Sequence, residues 1–177
     1  MKFKKIAFDG VYLITLEPKF DKRGWFERVF CEQEFKKNNI DFKIVQVNRS
    51  FNRQKGIIRG LHYQKNPKAE GKIIQVTKGK IYDVAVDIRK GSLTFGQWLA
   101  VELNAVKNKL LYLQPGFAHG YQTLTAQSEL VYYMSEFYSP VYACGIRWND
   151  PQLKIRWPLA KATVSDKDRN LPFLNSI

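Results

Sequence analysis

Only two histidines occur in this 177-residue chain, and each stands beside glycine in an aromatic and polar setting: Arg59-Gly60-Leu61-His62-Tyr63-Gln64 and Gly116-Phe117-Ala118-His119-Gly120. Imidazole is the side chain that titrates unperturbed near neutral pH, so His62 and His119 are the first candidates for moving a proton. Cofactor-free removal of a proton next to a carbonyl needs a base such as His62. It also needs a carboxylate behind the base, to set its tautomer and stabilise the imidazolium, and a tyrosine as acid. A cation, Lys72 or Arg59, would stabilise the enolate. The plainer reading is that a lone histidine in a strand is a satisfied structural residue and that tyrosines on a strand face are packing.

Other chemistries lack their signatures. No GxGxxG follows a strand, and neither GxxxxGK[ST] nor GxSxG occurs, which speaks against dinucleotide, P-loop and serine-elbow chemistry. The histidines are isolated rather than paired as His-x-His, so neither a metal nor another cofactor is expected. Cys31 and Cys144 lie far apart and form no CxxC, and we read both as free thiols.

Lys and Arg number 29 against 16 Asp and Glu, a net charge of +13, so the field of the protein attracts anions. The lysines are scattered, and no helix-turn-helix, zinc-finger or RNP-like motif accompanies them, so nucleic acid is not an expected partner. Apolar residues make up 45% and charged residues 25%, the balance of one globular domain spanning residues 1–177. The basic N-terminus leads into no apolar run, and no stretch reaches the roughly 18 apolar residues of a spanning helix. A cytoplasmic protein without a membrane partner is expected.

The elements that must position these groups are strands. Turn signals recur at Lys55-Gly56, Lys78-Gly79, Lys90-Gly91, Pro115-Gly116 and Ser139-Pro140, with Val-, Ile-, Tyr- and Phe-rich segments between them. This is the pattern of an antiparallel sandwich or barrel. From Ile81 to Arg89 the period is two, with Tyr82, Val84, Val86 and Ile88 facing one way and Asp83, Asp87 and Arg89 the other. Lys78-Gly79 reads as the hairpin joining this strand to Gly71–Val76. A strand over Glu129–Tyr138 puts Tyr132, Met134 and Tyr138 on one side, and helix signal is confined to Glu32–Lys37.

Taken in order, the segments Asp21-Lys22-Arg23-Gly24-Trp25-Phe26, Gln46-Val47-Asn48-Arg49-Ser50, Arg59 to Gln64, Lys72, Asp83 to Arg89, Pro115 to Gly120, Trp148-Asn149-Asp150-Pro151, Trp157-Pro158 and Ser165-Asp166-Lys167-Asp168 resemble the dTDP-4-dehydrorhamnose 3,5-epimerases nearly end to end. The resemblance implies an all-β, cupin-like antiparallel jelly roll with a few short helices. It also implies cofactor-free epimerisation of a nucleoside-diphosphate 4-keto-6-deoxy sugar, and a homodimer.

Carried over by position, His62 would be the base, Asp168 its orienting partner, Tyr132 the acid on the opposite ring face, and Lys72 the stabiliser of the C4 enolate oxygen. Arg23 and Arg59 would grip the diphosphate, Phe26 and Tyr138 pack against the nucleobase, and Gln46 and Asn48 line the pocket. His119 and Asp83 would form a supporting pair beside the sugar. The chain departs from the family pattern at Arg28, Asn52 and Ala143, near the nucleotide end or the pocket wall, which leaves the identity of nucleobase and sugar open. A relative that inverts only C3 or only C5, or a non-catalytic sugar-nucleotide-binding barrel, would use many of the same residues.

Overall fold

A computed structural model describes residues 1–177. In chain order its elements are β1 (Lys2–Lys5), β2 (Val11–Thr15), β3 (Lys19–Asp21), β4 (Gly24–Phe26), α1 (Glu32–Lys37), β5 (Gln46–Asn52), β6 (Ile57–Gln64), β7 (Lys72–Lys78), β8 (Lys80–Asp87), β9 (Trp98–Asn104), β10 (Lys109–Leu113), β11 (Phe117–Thr123), β12 (Ser128–Met134), β13 (Ala143–Gly145), β14 (Thr163–Val164) and α2 (Asp166–Arg169), with a last 3-10 turn at Leu174–Ser176. One sheet runs β1-β2-β10-β7-β12-β5 and the other β13-β6-β11-β8-β9, while β3 and β4 form a hairpin apart from both. Pairing is antiparallel except where short β14 joins β6 in parallel. This is the expected jelly roll. No helix is long and apolar enough to cross a membrane.

The two sheets close on a core in which Val11, Ile74, Leu111 and Leu130 of the first meet Ile81, Ala85, Phe117 and Tyr121 of the second. The outer face of the first sheet is covered by Phe35 of α1 with Ile40 and Phe42. Ile146, Leu153 and Leu174 cover the outer face of the second, over Leu61, Val84, Val86 and Ala118. Strand β8 is therefore buried on both faces. Its polar side turns inward, with Asp83 and Asp87 fully buried, a burial tolerated only because each carboxylate is hydrogen-bonded.

The Lys78-Gly79 hairpin is not formed. β7 pairs with β10 and β12, and β8 pairs with β11 and β9, so the two strands lie in different sheets. A single residue between Lys78 and Lys80 is shorter than the two-residue loop a hairpin needs. Gly79, at φ 79°, turns a corner from one sheet to the other. The strand expected to reach Tyr138 ends at Met134, leaving Tyr138 in the following loop. Helix α1 has the expected bounds, with Glu32 and Glu34 in its first turn and Lys36 and Lys37 in its last, matching the helix dipole. Helix α2 was not anticipated, although its Ser165-x-x-Asp168 capping spacing was there to be read: the Ser165 hydroxyl accepts the Asp168 backbone N–H at 3.1 Å.

Candidate active site

The two histidines meet in the pairing of β6 with β11, where His62 lies opposite His119. Glycines make this close approach possible. Gly60 sits at φ 121°, and a Cβ there would come within 2.6 Å of the Gly120 Cα and 2.8 Å of the His119 carbonyl oxygen.

His62 Nε2 lies 2.7 Å from Asp168 Oδ1, and Asp168 Oδ2 accepts the Gly60 N–H at 3.1 Å. Burial pushes the Asp168 carboxyl up, but the hydrogen bonds and charge of His62, with those of Gly60 and Ser165, outweigh it and hold the group below its ordinary value. An ionised Asp168 places the proton on Nε2 and leaves the lone pair on Nδ1. His62 lines a cleft of about 400 Å³ whose walls also include Gln46, Asn48, Lys72 and Tyr138, a size suited to a small ligand. A wider hollow beyond Tyr63 and Cys144 holds none of the expected site residues.

Lys72 is buried, donating to the His62 carbonyl at 2.9 Å and pairing with Glu70 at 2.8 Å. An ammonium has three hydrogens, so one remains for the cleft. Glu70 Oε2 also accepts the Gln64 N–H at 2.8 Å.

Tyr132, His119 and Asp83 do not line this cleft; Tyr132 stands on the facing sheet, the other two on the sheet of His62. Tyr132 pairs in register with Asn48 and Ile74, on the same strand face as Met134, Gln46 and Lys72. Its ring meets His119 edge-on with centroids 6.3 Å apart. His119 Nε2 lies 2.9 and 3.0 Å from the Asp83 oxygens. Desolvation pushes the fully buried Asp83 carboxyl up, with His119 and Lys72 pulling the other way. Base and acid thus come from opposite sheets.

Not every expected residue joins this group. Arg59 turns to Asn52, its Nε donating to Oδ1 at 2.9 Å. Arg23 and Phe26 stand exposed on the β3–β4 hairpin, Arg23 paired with Asp21 at 2.6 Å, and neither lines the cleft. Tyr138 is at the rim, its N–H donating to Gln46 Oε1 at 3.0 Å. Of the departures, Ala143 lines the cleft, whereas Asn52 is fully buried and accepts from Arg59 and Tyr121. Arg28 does not stand at the pocket wall and instead binds Glu34 of α1 at 3.1 Å.

Reasoning from sequence missed Glu70, Ser50 and Tyr121. Nothing in spacing marks Glu70. Ser50 was signalled by the alternation Gln46, Asn48, Ser50, Asn52, a wholly polar strand face, and Tyr121 by its place two residues after His119 on one face of β11.

The family model described as dTDP-4-dehydrorhamnose 3,5-epimerase matches residues 5–176. The dTDP-4-dehydrorhamnose 3,5-epimerase of Sinorhizobium fredii is 40% identical over 175 residues, covering 98% of this chain and 90% of its own. The crystal structure of dTDP-6-deoxy-D-glucose-3,5-epimerase from Legionella pneumophila in complex with dTDP-4-keto-L-rhamnose superposes with a TM-score of 0.93 at 37% identity, over 99% of this chain and 94% of that one. The Bacillus anthracis dTDP-4-dehydrorhamnose 3,5-epimerase, with TDP and PPi bound, gives 0.92 at 40% identity, over 97% and 99%.

Proposed function

The chain belongs to the dTDP-4-dehydrorhamnose 3,5-epimerase family, a family of isomerases, and on that premise we propose how its residues invert C3 and C5 of a dTDP-linked 4-keto-6-deoxyhexose. The C4 ketone acidifies the hydrogens on C3 and C5. His62 removes one through Nδ1, Asp168 stabilises the imidazolium, and the free N–H of Lys72 holds the oxygen of the enolate. Tyr132 delivers a proton from the opposite face, which inverts the centre; once His62 has lost its proton to solvent and Tyr132 has regained one, the same pair serves the second carbon. The observation that carries this reading is a solvent-open histidine, tied through Nε2 to a buried aspartate, that lines one cleft together with Lys72.

Arg23 and Arg59 bind the diphosphate, for which the guanidinium fork is suited. Phe26 and Tyr138 hold the base, Gln46 and Asn48 the pocket, and His119 with Asp83 supports the sugar side. The net charge of +13 draws in a dianionic substrate. The protein acts as a homodimer. This is supported by the exposure of Phe20, Trp25 and Phe26 on one small hairpin, an apolar surface that calls for a cover, and the hairpin residues Arg23 and Phe26 then serve the partner's cleft. Light scattering at micromolar concentration should give twice the monomer mass; a monomer contradicts the dimer.

Incubation with the dTDP-4-keto sugar in deuterium oxide, followed by NMR, tests the reaction. Exchange at both C3 and C5 is expected. Exchange at one carbon assigns a single-centre epimerase, and exchange at neither leaves a binding barrel. His62→Ala should abolish exchange, and a normal rate in that variant removes His62 as the base.

A further inference from the structure

Three hydroxyls meet behind the acid. Ser50 Oγ lies 3.2 Å from the Tyr132 hydroxyl and 3.2 Å from the Tyr121 hydroxyl, and Tyr121 donates to Asn52 Oδ1 at 3.2 Å. Each hydroxyl has one hydrogen to give. With that of Tyr121 committed to Asn52, Ser50 donates to Tyr121 and Tyr132 donates to Ser50. The chain has a second polarity. If Tyr121 turns its hydrogen to Ser50, then Ser50 donates to Tyr132, and Asn52 Oδ1 still keeps the Arg59 Nε–H at 2.9 Å.

We propose that Ser50 and Tyr121 are positioning residues that stabilise the Tyr132 phenolate by reversing this hydrogen-bond chain as Tyr132 gives up its proton. The inference rests on the function proposed above. As the Tyr132 O–H bond breaks, the electron pair of the enolate takes the proton to form the new C–H bond, and the negative charge passes to the phenolate oxygen. That oxygen accepts the Ser50 O–H, whose Oγ accepts the Tyr121 O–H, so no further proton leaves its atom.

The need for such support is visible at Tyr132 itself. Burial pushes its phenol well above the ordinary value, the neighbouring Tyr121 adds to this, and the Ser50 hydrogen bond works against it. Hydrogen bonds to a charged oxygen are worth more than neutral ones, so the chain binds the ionised acid better than the resting one. That difference is the kind that speeds a reaction.

Exchange and inversion separate this role from a structural one. In deuterium oxide, removal and return of hydrogen on one face needs only the base, whereas inversion needs Tyr132. Tyr121→Phe and Ser50→Ala should each lower the ratio of inversion to exchange by about tenfold or more, with KM little changed. Tyr121→Phe is nearly isosteric and leaves Asn52 bonded to Arg59, so it reads the chemistry even if Ser50→Ala folds poorly. A parent-like ratio in Tyr121→Phe, or an equal fall in exchange and inversion, overturns the inference while the function stands. A parent protein that neither exchanges nor inverts overturns both.

Discussion

His62 and His119 are cross-strand partners in the pairing of β6 with β11, and each binds a buried aspartate through Nε2, yet the two pairs are not equivalent. The His62 side chain is 43% exposed and that of His119 only 6%, so only His62 opens to a ligand. Hydrogen bonds hold Asp168 below its ordinary value against desolvation, whereas desolvation prevails at Asp83 and pushes it up. One pair is set to receive a proton as an imidazolium beside a carboxylate. The other lies in the wall next to Tyr132.

Asp168→Asn keeps the shape of the pair but cannot stabilise an imidazolium and can hold the wrong tautomer. We expect kcat to fall by about 100-fold or more, with little change in KM, measured by NMR of the keto sugar. A variant within twofold of the parent would remove Asp168 from the mechanism.

The same carboxylate carries a pH signature. Its folded-state pKa is lowered, so its contribution to stability is present above the unfolded value near 4 and is lost as pH falls through the folded value. The melting-temperature difference between parent and Asp168→Asn should shrink as pH falls below about 4. A difference that grows below about pH 4 contradicts this.

Glu70 fixes two directions at once, holding the Lys72 ammonium and the Gln64 N–H. Glu70→Ala should lower kcat by about 10- to 100-fold, because the remaining Lys72 hydrogen loses its aim. Glu70→Gln keeps an acceptor in place and should stay near the parent rate. Equal losses in both would show that charge, not placement, is what Glu70 supplies.

Gly60 is where β6 comes against β11. A Cβ at φ 121° would sit 2.6 Å from the Gly120 Cα, so Gly60→Ala should cost about 3 kcal/mol, or a fall in Tm of roughly 6–12 °C. Calorimetry showing an unchanged Tm would mean the strands can separate without loss.

The β3–β4 hairpin lines no part of its own chain's cleft. If Arg23 serves the partner's cleft, mixing inactive His62→Ala with weakened Arg23→Ala protein should restore activity through hybrid dimers, each with one intact site. No gain on mixing places Arg23 at its own chain's cleft.

Strand identity was readable from the residues alone, because a period of two is a local property: β8 lies where the alternation put it, the Tyr132 strand does so as far as Met134, α1 has its read bounds, and the scarcity of histidine pointed at His62. Sheet membership was not readable, because pairing is set by contacts distant in sequence. Lys78-Gly79 therefore looked like a hairpin and is a corner between sheets. A polar strand face also reads the same whether it meets water or a partner, so Asp83 and the inward Gln46, Asn48, Ser50 and Asn52 row needed the folded barrel to show what they bind. Glu70, the choice of Nε2 over Nδ1 at His62, and the hydroxyl chain behind Tyr132 depend on side chains meeting across two sheets at hydrogen-bond distance, a relation no spacing along the chain encodes.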